Sequence, residues 1–381
     1  MRTANSKWLP VGPLCLAMVA LVYSWVSSSS WSAKTEAGVA AYHLDDYAAA
    51  GRHFTAALAK AEGFRADDPR LTTALHNLAT VHIAAHRYGD AEPLLIRALE
   101  VQKRTLTTND PALARTLSDL GDLYHLVGRF DEAERLFRRA QGIVEKDRGL
   151  VHPELADSLE RLAELYHDQG RLNEAEPLHK WALSIRKAAL EPDHPDIALS
   201  FNNLGALYVA LGKFSAAEQL YLKAVEIRGK PGSSEPSALA TSLGNLAELY
   251  HEQGRYGEAE PLLRRALAID EKALGPDHPN IAIFLNNMAA IYQEWGDYDG
   301  AEKLSRRALK IFEKALASTT DGGGNGRRRQ RYMGPEYRNI ILGLDNLSRL
   351  YLRQGKLTLA ADLSNRAQAI RARYSMSREQ H

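Results

Sequence analysis

The sequence predicts an all-α protein built as a solenoid of about eight stacked antiparallel helix pairs. Three observations carry that expectation: a 42-residue period through most of the 381-residue chain, two apolar stripes of helical spacing within each period, and glycine and proline recurring at fixed places between the stripes. The stretches "ELYHEQGRYGEAEPLLRRAL" at 248–267 and "ELYHDQGRLNEAEPLHKWAL" at 164–183 agree at 14 of 20 places. On the turn position held by Gly254 the period runs back through Gly212, Gly170, Gly128 and His86 and forward to Gly296. The next counterpart, Gly355, lies 59 residues on, so 17 residues have been inserted there. One earlier, degenerate repeat centres on Asp45 and Tyr47, a residue out of step.

Taken in order, the chain opens with residues 1–30, which have the parts of an export segment. Arg2 and Lys7 come first, an apolar run follows to Val26, and Ser27 to Ser30 close it. Counted from Leu9 the run holds 18 residues, with Trp8 before it and Trp25 and Trp31 near its far end, as an interfacial belt requires. A cleaved signal peptide and a retained membrane anchor through residues 9–26 both fit, the remaining alternative being a buried hydrophobic extension. In either of the first two cases the remainder is expected outside the cytoplasm, secreted or anchored. A lipoprotein reading fails, because Cys15 stands before most of the apolar run, after Gly12, Pro13 and Leu14, and not at its end.

The array is expected over 31–317 as about seven repeats, the first degenerate. In a representative repeat, Leu239, Leu243, Leu246, Ala247 and Tyr250 make the stripe of one helix, and Ala259, Leu262, Leu263, Ala266 and Leu267 that of the second. Gly254 supplies the backbone freedom that ends the first helix, and small Ala247 and Ala259 let the pair approach closely. Pro261, with Pro93 and Pro177 in the same column, is expected in the first turn of the second helix, where a missing N–H costs little. Between repeats, Pro69, Pro111, Pro153, Pro195 and Pro279 mark helix starts, and Gly275 a helix end. Pro236 stands one residue early, so that helix is expected to start differently. A Gly/Arg-rich inserted loop is expected at 318–335, a final repeat at 336–375 and a polar tail at 376–381.

Leu-x-x-Leu-Ala-x-x-Tyr, then Gly-x-Tyr-x-x-Ala-Glu-Pro, then Arg-Ala-Leu resembles the tetratricopeptide repeat. The 42-residue spacing, "DHP" at 193–195 and 277–279 and "NNL" at 202–204 resemble its kinesin light chain subtype. The resemblance implies a right-handed superhelix whose concave surface is lined by the first helices. One column there is Asn77, Asp119, Arg161, Asn203, Asn245, Asn287 and Asn346. By the resemblance its asparagines form a ladder of amides bonding the main chain of an extended peptide, since each amide both donates and accepts. The alternative is that these amides bond neighbouring helices. Three residues further along, Asp122, Glu164 and Glu248 make one end of the groove acidic, while Arg349 and Arg353 make the other basic.

Other chemistry is poorly served. With 48 basic against 47 acidic residues, no global field recruits nucleic acid. A single cysteine leaves the array without disulfide or thiolate metal site. His125, His167 and His251 share a column, but repeats about 10 Å apart cannot converge their imidazoles on one zinc ion. Neither a Gly-x-Ser-x-Gly elbow nor a phosphate loop is present, so no enzyme activity, cofactor or small-molecule substrate is expected. Arg327, Arg328, Arg329 and Arg331 form the densest positive cluster, either a grip on an acidic partner or a solvated loop. The expectation is a scaffold or adaptor with a protein or peptide partner, the alternatives being a self-assembling solenoid or an enzyme with unrecognised residues.

Overall fold

The computed structural model describes residues 30–44, 46–65, 67–231, 235–320 and 335–375, and all regular structure among them is helical. The expected export segment, the arginine cluster at 327–331 and the tail at 376–381 lie outside the described residues. No helix among the described residues is long and apolar enough to cross a membrane. The helices fall into two compact units, Met1–Leu106 and Thr107–His381. The first holds α1 (30–43), α2 (Tyr47–Ala61), α3 (Pro69–Ala84) and α4 (Tyr88–Thr105). The second holds six hairpins: α5 (Pro111–Leu126) with α6 (Phe130–Arg148), α7 (Pro153–Asp168) with α8 (Leu172–Ala189), α9 (Pro195–Ala210) with α10 (Phe214–Arg228), α11 (Pro236–Glu252) with α12 (Tyr256–Leu274), α13 (Pro279–Glu294) with α14 (Tyr298–Thr320), and α15 (Pro335–Arg353) with α16 (Leu357–Ser375). α14 therefore continues past residue 317 into the stretch expected as loop.

Local chemistry fixes the ends. Each first helix from α3 to α9, and α13, has proline in its first turn and Asp or His as N-cap; Asp110 Oδ1, for example, accepts from Ala112 N at 2.9 Å. α11 starts at Pro236 behind Glu235, which makes no side-chain cap, so the displaced proline moves the helix start as expected. At the far end of α11, Arg255 N bonds Tyr250 O at 2.8 Å and Gly254 N bonds His251 O at 3.0 Å, the paired bonds of a Schellman turn. Gly254 takes φ +72°, and His86 in the same column is the one described non-glycine residue with positive φ, at 52°.

That turn corrects the expectation for Pro261. The second helix begins at Tyr256, directly after Arg255, so Pro261 is its sixth residue, and Pro93 and Pro177 hold the same place in α4 and α8. Ala259 N already bonds Arg255 O, so the free amides end before Pro261. The proline leaves the Gly257 carbonyl without its usual donor.

Within a hairpin, volume is traded between helices. A Cβ added at Gly121 would lie 2.5 Å from the Phe137 ring, and one at Gly205 would lie 2.7 Å from Tyr221. Where the first helix carries alanine instead, the facing residue is smaller: Ala247 with Leu263, and Ala163 with His179. Between hairpins a recurring latch operates. Glu134 accepts from Tyr166 Oη at 2.8 Å and Arg171 Nη1 at 2.8 Å; Glu218 accepts from Tyr250 Oη at 2.8 Å and Arg255 Nη1 at 2.9 Å. In each, the guanidinium also lies over the tyrosine ring, at 4.0 and 3.9 Å. Glu176 with Tyr208 and Lys213, and Glu302 with Tyr351 and Lys356, repeat the pattern.

In the second unit, successive first helices approach each other directly, Cα to Cα within 8 Å, from α5 through α15. Successive second helices make no comparable approach. The first helices therefore form the inner, closely spaced row of that unit and the second helices the outer row.

Candidate binding groove

The expected column falls on the first helices, which form the inner row of the second unit. Asp119, Arg161, Asn203, Asn245, Asn287 and Asn346 are all half-buried, one per first helix from α5 to α15; Asn77 holds the same position on α3 in the first unit. Their partners differ. Asn203 Nδ2 donates to Glu160 Oε2 at 2.8 Å and Glu164 Oε1 at 3.1 Å, so this amide bonds a neighbouring helix. Arg161 Nε holds Asp122 at 3.1 Å, and Asn346 Oδ1 accepts from Arg349 at 3.0 Å. Asn77, Asn245 and Asn287 have no side-chain partner among the described residues. The two amides open on the inner row are those of Asn245 and Asn287.

The carboxylates along the row are shifted from their ordinary pKa values. Shielding from water pushes the Asp122 carboxyl above its ordinary value despite Arg161. The same shielding raises Glu164, with repulsion from Glu160 adding to it, and raises Glu248, with repulsion from Glu252. Carboxylates held above their ordinary pKa favour an arriving cation. At the other end Arg353 Nη1 is paired with Glu294 at 2.9 Å.

Sequence reasoning missed a buried slot between repeats. Arg186, on α8, donates to Ser200 Oγ at 2.7 Å and to Asp157 at 2.7 Å; Ser200 Oγ donates to Glu160 at 3.0 Å, and His179 Nδ1 lies 2.7 Å from Glu160. Burial works against the Glu160 charge, but the bonds from His179 and Asn203 and the field of Arg186 hold its pKa below the ordinary range. One repeat on, Arg228 and Asn202 share Ser242 Oγ at 2.9 and 2.8 Å. Two repeats on, the corresponding residues are Asp270, Phe284 and Gly244, and the slot becomes apolar around a buried aspartate. The signal was present as a hydroxyl column, Thr116, Ser158, Ser200 and Ser242, inside otherwise apolar stripes. Among the described residues no cluster of His, Cys, Asp or Glu could hold a metal ion.

A family model described as tetratricopeptide repeat matches residues 70–146, 154–230 and 238–314. The chain belongs to the tetratricopeptide repeat family. Among solved structures it is similar to a signal transduction ATPase with numerous domains and a tetratricopeptide repeat sensor, from Pyrococcus horikoshii (17% identity, 84% of this chain and 44% of that one, TM-score 0.56). It is similar to a Rap protein complexed with competence and sporulation factor (16% identity, 92% and 99%, TM-score 0.55). A putative kinesin light chain with nearly identical repeats, from Podosopora anserina, shares 28% identity over 54% of this chain and 98% of that one (TM-score 0.47). No curated protein sequence matched the chain.

Proposed function

We infer that the protein is a non-catalytic scaffold or adaptor that binds an extended segment of another protein along the inner row of its second unit. The observation that carries this reading is the pair of open amides, Asn245 and Asn287, at one register on adjacent first helices that latches and buried slots hold in place. An amide offers a donor and an acceptor to a passing main chain, and a fixed helix row supplies them without an ordering cost at binding. Asn203 belongs to the framework, because Glu160 and Glu164 already engage it.

The test compares proteins recovered by the native chain and by an Asn245→Ala/Asn287→Ala variant. Loss of a defined set from the variant supports amide recognition, and equal recovery overturns it. For residues 1–30 the proposal of an export signal or anchor stands on their sequence; N-terminal sequencing of the mature product that starts near Trp31 supports cleavage, and an intact start supports retention.

A further inference from the structure

The inner row carries a second register besides the amides. Four residues before Asn203, Asn245, Asn287 and Asn346 stand Leu199, Thr241, Ile283 and Leu342, on α9, α11, α13 and α15, whereas Arg115 and Asp157 hold that register on α5 and α7. Leu199, Ile283 and Leu342 are 39%, 44% and 50% exposed, although each lies on the face that carries the asparagines. Apolar side chains repeatedly open to solvent at one register of a closely packed row call for an occupant. On the same face of α11, about two and three turns beyond Thr241, Glu248 and Glu252 meet no lysine or arginine among the described residues, whereas Arg255 holds Glu218 and Glu258.

Spacing selects the conformation of that occupant. Packed helices stand about 8–10 Å apart. A β-strand returns to the same face every two residues, about 6.7 Å, and falls out of step with such a row. A polyproline II chain returns every three residues, about 9.3 Å, within that range of helix spacing. Resting on the groove reading above, we propose that the ligand is a polyproline II segment of about ten residues, with an apolar side chain at every third position and lysine or arginine between, the apolar residues seated on Leu199, Ile283 and Leu342 and the cations on Glu248 and Glu252.

The test uses fluorescence anisotropy with the whole chain and three labelled synthetic peptides: four Leu-Pro-Lys triplets, four Leu-Pro-Glu triplets, and a shuffled Leu-Pro-Lys composition without the three-residue period. The first is expected to bind about tenfold or more tighter than either other peptide. Glu248→Gln/Glu252→Gln is expected to weaken it about tenfold while preserving the preference for the three-residue period. Equal binding of shuffled and periodic peptides, equal binding of the acidic peptide, or no binding by any of them overturns the proposal. The amide reading is scored separately: periodic binding that survives Asn245→Ala/Asn287→Ala overturns that reading and leaves this one standing.

Discussion

His82 stands where later repeats place Tyr124, Tyr166, Tyr208 and Tyr250, and its surroundings exclude water. Burial, with repulsion from Arg87, lowers its pKa from 6.5 to about 4. The folded state therefore refuses a proton that the unfolded chain accepts, so His82 costs no stability above pH 6.5 and progressively more as pH falls toward about 4. Protection factors of α3 and α4, taken relative to intrinsic exchange at each pH, are expected to fall between pH 6.5 and 5 in the native chain, and His82→Tyr is expected to remove much of that change. Glu248 shows the opposite sign. Its folded pKa lies above 4.5, so its charge is unfavourable at neutral pH, and the cost disappears as pH falls through the folded value toward 4.5. Glu248→Gln is expected to raise the melting temperature at pH 7 and to give no gain at pH 4. A melting temperature that falls at pH 7 would contradict the raised pKa of Glu248.

At the scale of elements, the traded volumes make a sharp case. Gly121→Ala gains about 1 kcal/mol of helix propensity but drives a methyl group into Phe137, and overpacking of that kind costs about 1–3 kcal/mol. The overlap should win, because Phe137 is 2% exposed and has no room to rotate. Adding Phe137→Leu recreates the Ala247–Leu263 pairing, and the double variant is expected to regain at least native stability in chemical denaturation; failure to recover would refute the exchange. For the latch, Glu218→Ala is expected to cost about 1–2 kcal/mol and to loosen α10 against α11 in hydrogen exchange, since it removes acceptors for both Tyr250 and Arg255. Helix ends were legible in the sequence because caps are local: Gly254 and Pro279 act within a few residues of themselves. Pro261 was misread because the Schellman turn starts the next helix without a spacer. The latch was hidden because its partners stand 32 and 37 residues apart, as Glu218 does from Tyr250 and Arg255. Asn203 and Asn245 look alike in sequence; what separates them is Glu160 and Glu164 one hairpin away.

At the scale of the molecule, the division at Leu106 and Thr107 had no warning in the sequence, because the 42-residue spacing from His86 to Gly128 runs across it unchanged. Within the second unit each hairpin touches its neighbours along the row, so stability is a sum of hairpin and nearest-neighbour contributions. Gly205→Leu, which meets Tyr221, is expected to speed exchange in α9 and α10 most, in α8 and α11 less, and in α15 and α16 least; uniform loss of protection would contradict the linear scheme. The near balance of charge leaves recognition to local features, and those fall on one row: open amides, exposed aliphatic side chains and carboxylates of raised pKa. Photocrosslinking tests that convergence most directly, with a benzophenone side chain placed at Ala290 on the inner row or at exposed Arg265 on the outer helix α12. Crosslinks to a partner segment from Ala290 and none from Arg265 are the predicted result, and the reverse pattern would place recognition on the opposite face and contradict it.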